Sequence, residues 1–151
     1  MNQNIKEKLL DYCLKNIAEK LQWAQQRIAE SQQSANEETK SSAGDKYETG
    51  RAMMQIEIEK YMRQMAEYQK QMQALQAIQL QAEYTIALAG SLVQTSRGNY
   101  FLSVGLGKIS VEGQDFWAIS PTSPIGELMY KKTVGHQFSF NGTKFAIEHI
   151  L

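Results

Sequence analysis

The chain has 151 residues, enough for one ordinary domain or two small ones. Its 16 Lys and Arg balance 16 Asp and Glu, so no net field draws it toward nucleic acid or an acidic membrane, and any electrostatic function must be local. The single cysteine, Cys13, excludes an intramolecular disulfide, and a polar opening with no long apolar run predicts a soluble, cytoplasmic protein.

Composition changes near residue 80. Up to about Ala82 there is no proline, glycine occurs only at Gly44 and Gly50, and helix formers dominate. Beyond that point Val, Ile, Phe, Tyr, Ser and Thr gather with both prolines and the remaining glycines. The expected fold class is therefore α+β, with helices over 1–82 and a β-rich domain over 83–151.

Within the helical half, Leu10, Leu14, Ile17, Leu21, Ala24, Ile28, Ser31 and Ala35 alternate steps of four and three, the seam of a coiled coil. After a polar break the seam resumes at Tyr47, Met54, Ile58, Tyr61, Met65, Tyr68, Met72 and Leu75, with Arg51 the one clearly non-apolar member. Folding the two segments antiparallel opposes Leu10 with Leu75, Leu14 with Met72, Leu21 with Met65, Ala24 with Tyr61, Ile28 with Ile58 and Ser31 with Met54. Those sizes complement one another, which favours a hairpin over pairing with other chains. At about 30 residues per helix and ~1.5 Å rise, the hairpin is on the order of 45 Å long, which places function at its tip. Periodicity alone also fits a dimerisation or spacing element.

The tip spans 36–51. Gly44 can supply a positive φ, Asp45 can cap the returning helix, and Glu48 falls three residues later at capping-box spacing. The same spacing puts two carboxylates on one helix face.

In the second half, 91–95 and 100–104 read as strands around a turn at Arg97-Gly98-Asn99. The segments 138–140 and 144–150 flank Asn141-Gly142, a two-residue hairpin signal. Between them Ser123 can act as N-cap with Pro124 at the first helical position, starting a helix to about Tyr130. Phe116, Trp117, Phe138 and Phe145 read as core. His136 and His149 lack Cys or acidic partners at ligand spacing, and Gly105-Leu106-Gly107 is not continued as a nucleotide fingerprint, so a self-contained enzyme is not expected.

Two motifs carry a family resemblance. Gly44-Asp45-Lys46-Tyr47-Glu48 between two heptad helices resembles the tip of the GreA/GreB transcript-cleavage factors, and Ile119-Ser120-Pro121-Thr122-Ser123-Pro124-Ile125-Gly126 followed by Val134-Gly135 resembles the Ser-Pro signature of their globular domain. Order and rough spacing agree over nearly the whole chain. The departures are Thr49-Gly50-Arg51-Ala52 where the family usually has Asn, Ala, any residue and Tyr, Lys131 in place of a Gly, and His136 in place of an Asp.

The resemblance implies an FKBP-like second domain with one short helix. It also implies an elongation factor that binds core RNA polymerase, inserts its tip into the secondary channel and stimulates cleavage of backtracked RNA. Asp45 and Glu48 would be the tip carboxylates, acting in the polymerase active site on a Mg²⁺ shared with the polymerase. No metal is expected on the isolated chain, because two carboxylates alone bind Mg²⁺ poorly. Lys46 and Arg51 would contact the nascent RNA or the polymerase, and Ser120, Pro121, Ser123, Pro124 and Ile125 would form a polymerase-docking surface. The alternatives are a Gre-like regulator that occupies the channel without cleaving, and a coiled-coil adaptor or FKBP-like chaperone.

Overall fold

The computed structural model describes residues 2–41 and 45–151, with side chains described for 4–37 and 48–151. Two helices, α1 (Asn2–Ser41) and α2 (Asp45–Gln76), precede a sheet of β1 (Leu92–Thr95), β2 (Gly98–Leu102), β3 (Gly107–Val111), β4 (Gln114–Ile119), β5 (Gln137–Phe140) and β6 (Thr143–Ile150). A short helix, α3 (Pro124–Met129), lies between β4 and β5 in sequence. The class is α+β. The chain forms two compact units, Lys15–Met72 and a sheet unit of Met1–Leu14 with Gln73–Leu151.

In the helical unit the seam read from the sequence is the buried face. Ile17, Ala24, Ser31 and Ile58 are buried, while Leu14, Leu21, Ile28, Ala35, Met54, Tyr61, Met65, Tyr68 and Met72 are half-buried. Arg51 alone among the described seam positions is exposed. Trp23 meets Tyr61 edge to face at 5.5 Å, and the Lys20 ammonium lies 5.9 Å from the Tyr68 ring. Each contact falls within a few residues of the layers expected from antiparallel pairing. The expected polar break over 36–51 is mostly helical: α1 runs on to Ser41 and α2 resumes at Asp45. Asp45 is thus the first helical residue, so α2 begins one position earlier than a cap at Asp45 predicts, a difference within the usual scatter of helix ends.

The sheet has the order β3-β4-β2-β1-β6-β5, with β2 and β4 parallel and all other neighbours antiparallel. One face carries Val93, Tyr100, Leu102, Phe145 and Ile147, packed with Ala87 and Met129 and flanked by Ile119, Ile125, Phe138, Phe140 and Ile150. Phe101 lies between Tyr100 and Leu102, so strand alternation sends it to the opposite face, where it too is fully buried. Leu9, Leu10, Cys13 and Leu75, the helical residues of this unit, are buried as well, and the Cys13 thiol hydrogen-bonds Ser103. Lys8 pairs with Glu112. Both faces of the sheet are therefore covered.

Three sequence expectations need correction. The turn between β1 and β2 is Ser96-Arg97 and not Arg97-Gly98-Asn99: Gly98 already pairs with Thr95, whose hydroxyl accepts from Arg97 N–H at 3.1 Å and donates to the Gly98 carbonyl at 2.8 Å. The β3–β4 hairpin was not expected. Its turn, Glu112-Gly113, has both φ positive at 53° and 76°, as does Asn141-Gly142 at 51° and 78°, but Glu at the first position gives a weaker sequence signal than Asn or Asp. Trp117 is 40 % exposed and not core: alternation on β4 puts Phe116 and Ala118 on the face of Phe101 and Trp117 on the face of its partner Tyr100, where it lies outside the core cluster.

Candidate functional site

The α1–α2 connection holds the predicted tip. Gly44 lies outside the described residues, and Asp45 and Lys46 are described only as part of α2. Glu48 stands on the first turn of α2 with its side chain exposed, three residues after Asp45. That spacing on a continuous helix brings positions 45 and 48 onto one face, and negative charge is favourable at a helix N-terminus.

Arg51 follows one turn later and lines a polar cavity of about 300 Å³ with Gln32, Ala35, Asn36 and Gln55. The three carboxamides were not among the expected site residues. Their sequence signal is indirect: a charged residue at a seam position leaves an apolar layer unfilled, and polar neighbours on the facing helix gather around the gap.

The Ser-Pro segment builds a tight start to α3. The Ser120 hydroxyl accepts from Thr122 N–H at 3.1 Å, and the Ser123 hydroxyl donates to the Ser120 carbonyl at 2.6 Å while accepting from Gly126 N–H at 3.1 Å. Ser123 is thus the N-cap and Pro124 occupies the first turn, as the sequence predicts. At Gly126 a Cβ would overlap the Ser120 carbonyl oxygen, which ties this glycine to the loop before it. Pro124 is exposed, Pro121 is half-buried, and Ile125 packs against the core cluster. Of the expected docking residues, Ser120, Pro121, Ser123, Pro124 and Ile125 come together in one loop and helix start, whereas Asp45, Lys46, Glu48 and Arg51 belong to α2.

After α3 the chain turns through Lys131 at φ 65°, a left-handed conformation that a side chain resists, and then Gly135 at φ 94°. His136 stacks on Phe138 at 6.1 Å, which gives it a packing role.

No family model, curated protein or solved structure matches this chain.

Proposed function

We propose that this protein is a GreA/GreB-like transcription factor whose hairpin enters the secondary channel of bacterial RNA polymerase and whose tip carboxylates act on backtracked RNA. The observation that carries the reading is a pair of long antiparallel helices whose returning member opens with Asp45 and Glu48 on one face. Two further features support it. The Ser-Pro signature is a capped helix start, and Lys131, standing where the family has Gly, occupies a left-handed position that suits Gly. On this reading the sheet unit is FKBP-like.

Asp45 and Glu48 offer hard oxygen donors, the type Mg²⁺ takes, but two carboxylates fill only part of its six-coordinate shell. They fit a shared site, with the other ligands coming from the polymerase and the RNA phosphate. A second Mg²⁺ held there would activate the attacking water and stabilise the leaving oxygen. This chain's part is to orient two carboxylates, with Lys46 and Arg51 as its candidate contacts to RNA phosphates.

The test is RNA cleavage in a stalled, backtracked complex with and without the protein. Asp45→Ala and Glu48→Ala should each abolish stimulation while polymerase affinity and folding hold, since a polar side chain at a helix start contributes only ~1 kcal/mol. Raised Mg²⁺ should partly restore the single variants and not the double one. Thr49-Gly50-Arg51 favours a second reading, a channel-occupying regulator that does not cleave. Wild-type protein that binds polymerase, never stimulates cleavage, and still inhibits RNA synthesis as the double variant would select it. Failure to co-purify with core polymerase would defeat both.

A further inference from the structure

The seam of the helical unit has two flanks, and they differ. Residues that directly follow seam members, Ala18, Gln25 and Gln32 on α1 and Gln55, Met62 and Gln69 on α2, are exposed, as a solvated hairpin edge requires. On the other flank, through the middle of the hairpin, Lys20, Arg27, Glu57, Gln64 and Gln71 each stand one residue ahead of a seam member, and all are half-buried although every one is polar. Asn16 Oδ1, Arg27 Nε, Gln64 Oε1 and Gln71 Oε1 are the side-chain atoms among the described residues that are shielded from solvent with no hydrogen-bond partner, and all four belong to this flank. Trp23 stands in the middle of it, 44 % exposed even with Tyr61 against its ring. Burial of three positions in seven, instead of the two of a lone coiled-coil seam, is what a helix shows when it faces more than one neighbour.

We infer that this flank is the interface of a parallel dimer, in which a second copy of the hairpin packs against it about a two-fold axis along the rods to make a four-helix bundle. The charges choose this occupant. With the axis along the rods, α1 of one copy lies over α2 of the other at the same level, and the seam pairing sets Arg27 within about half a turn of Glu57 and Lys20 within about half a turn of Glu67. Those are opposite charges. Asn16 falls level with Gln71, and two facing carboxamides can each donate to the other's unmet oxygen. Trp23 falls level with Gln64, whose unmet Oε1 can accept the indole N–H. An antiparallel dimer about Trp23 would instead set α1 over α1, with Arg27 against Lys20 and Glu57 against Glu67, like charge on like. A two-fold interface must complement itself, and this flank does so only in the parallel sense. The inference is independent of any role at RNA polymerase.

The experiment is sedimentation equilibrium of the full-length protein from about 1 to about 200 µM, a range that reaches weak specific interfaces. Wild type should show a concentration-dependent monomer–dimer equilibrium, and Trp23→Ala should weaken it about tenfold or more, as loss of a central interface tryptophan does. Lys20→Glu and Glu67→Lys should each weaken self-association, while a mixture of the two variants should form a heterodimer tighter than either homodimer, because mixing sets each reversed charge of one copy against its opposite on the other. Only contact between copies gives that recovery, since within each variant hairpin the like charges remain. A monomer throughout, a dimer that Trp23→Ala leaves intact, or a mixture no tighter than its parts would overturn the inference. Should Trp23→Ala fail to fold by circular dichroism, the charge-reversed mixture decides alone.

Discussion

Lys131 shows how a single residue can carry strain that the rest of its segment holds in place. Its N–H donates to the Ala87 carbonyl at 2.7 Å, and Lys132 O accepts from Ala87 N–H at 2.9 Å, so the backbone cannot relax out of φ 65° without breaking those bonds. A left-handed residue with a Cβ costs roughly 1–2 kcal/mol, partly offset in glycine by its greater freedom when unfolded. Lys131→Gly should therefore raise stability by about 0.5–1 kcal/mol, read as a higher urea midpoint at unchanged slope. Cys13 is governed by its surroundings in another way: burial pushes its thiol from 9.0 up to about 11, against a smaller opposing effect of the Ser103 hydrogen bond. Between those values the unfolded chain loses the thiol proton first, so this group's contribution to stability is complete below about pH 9 and is lost as pH rises toward 11. Lys6, with its lowered pKa, acts in the opposite sense at alkaline pH, so the Cys13 effect should appear as the difference between wild type and Cys13→Ala across that window. Alkylation of Cys13 at neutral pH should be slow and should accelerate in denaturant, because the thiolate is scarce and the side chain fully buried.

For the helices, burial along the seam is uneven, and that ranks substitutions which heptad position alone treats as equal. Ile58 is buried, whereas Leu21 is half-buried. Ile58→Asp leaves an unpaired charge without water and should cost about 3–5 kcal/mol, enough to melt the helical unit, while Leu21→Asp should cost visibly less. Circular dichroism melts of both variants give the order, and equal losses would argue against the pairing of Ile28 with Ile58. The Trp23–Tyr61 contact adds a local reporter, since its fluorescence should change in the same melt.

In the molecule as a whole, the sheet unit draws on both ends of the helical sequence. Leu9, Leu10, Cys13 and Leu75 are buried with it, and Phe101 and Phe116 lie on the face that strand alternation turns away from Tyr100 and Leu102. A fragment of 83–151 lacks those helical residues and should expose that face, giving an aggregating or low-melting species. Removing 15–72 and joining Leu14 to Gln73 through a flexible glycine-rich turn should instead leave a folded sheet unit. Near-ultraviolet circular dichroism and thermal melting distinguish the two. A well-folded, equally stable 83–151 fragment would show that the helical residues add nothing to the core.

What the sequence determined by itself is whatever depends on local periodicity and turn chemistry. The coiled-coil seam repeats every seven residues, Ser123-Pro124 states a helix start, and Asn141-Gly142 states a hairpin, because each is encoded within a few residues. The α+β class follows from the composition change near residue 80. Tertiary structure decided what depends on neighbours distant in the chain. It left Trp117 exposed beside buried Phe116, paired β2 with β4 in parallel across the intervening strand β3, and enclosed Lys6 between Tyr84 and Leu151. Nothing near Lys6 in sequence marks it, since a lysine on the first turns of a polar helix ordinarily stands in water. Its burial exists only because chain more than seventy residues away closes over it.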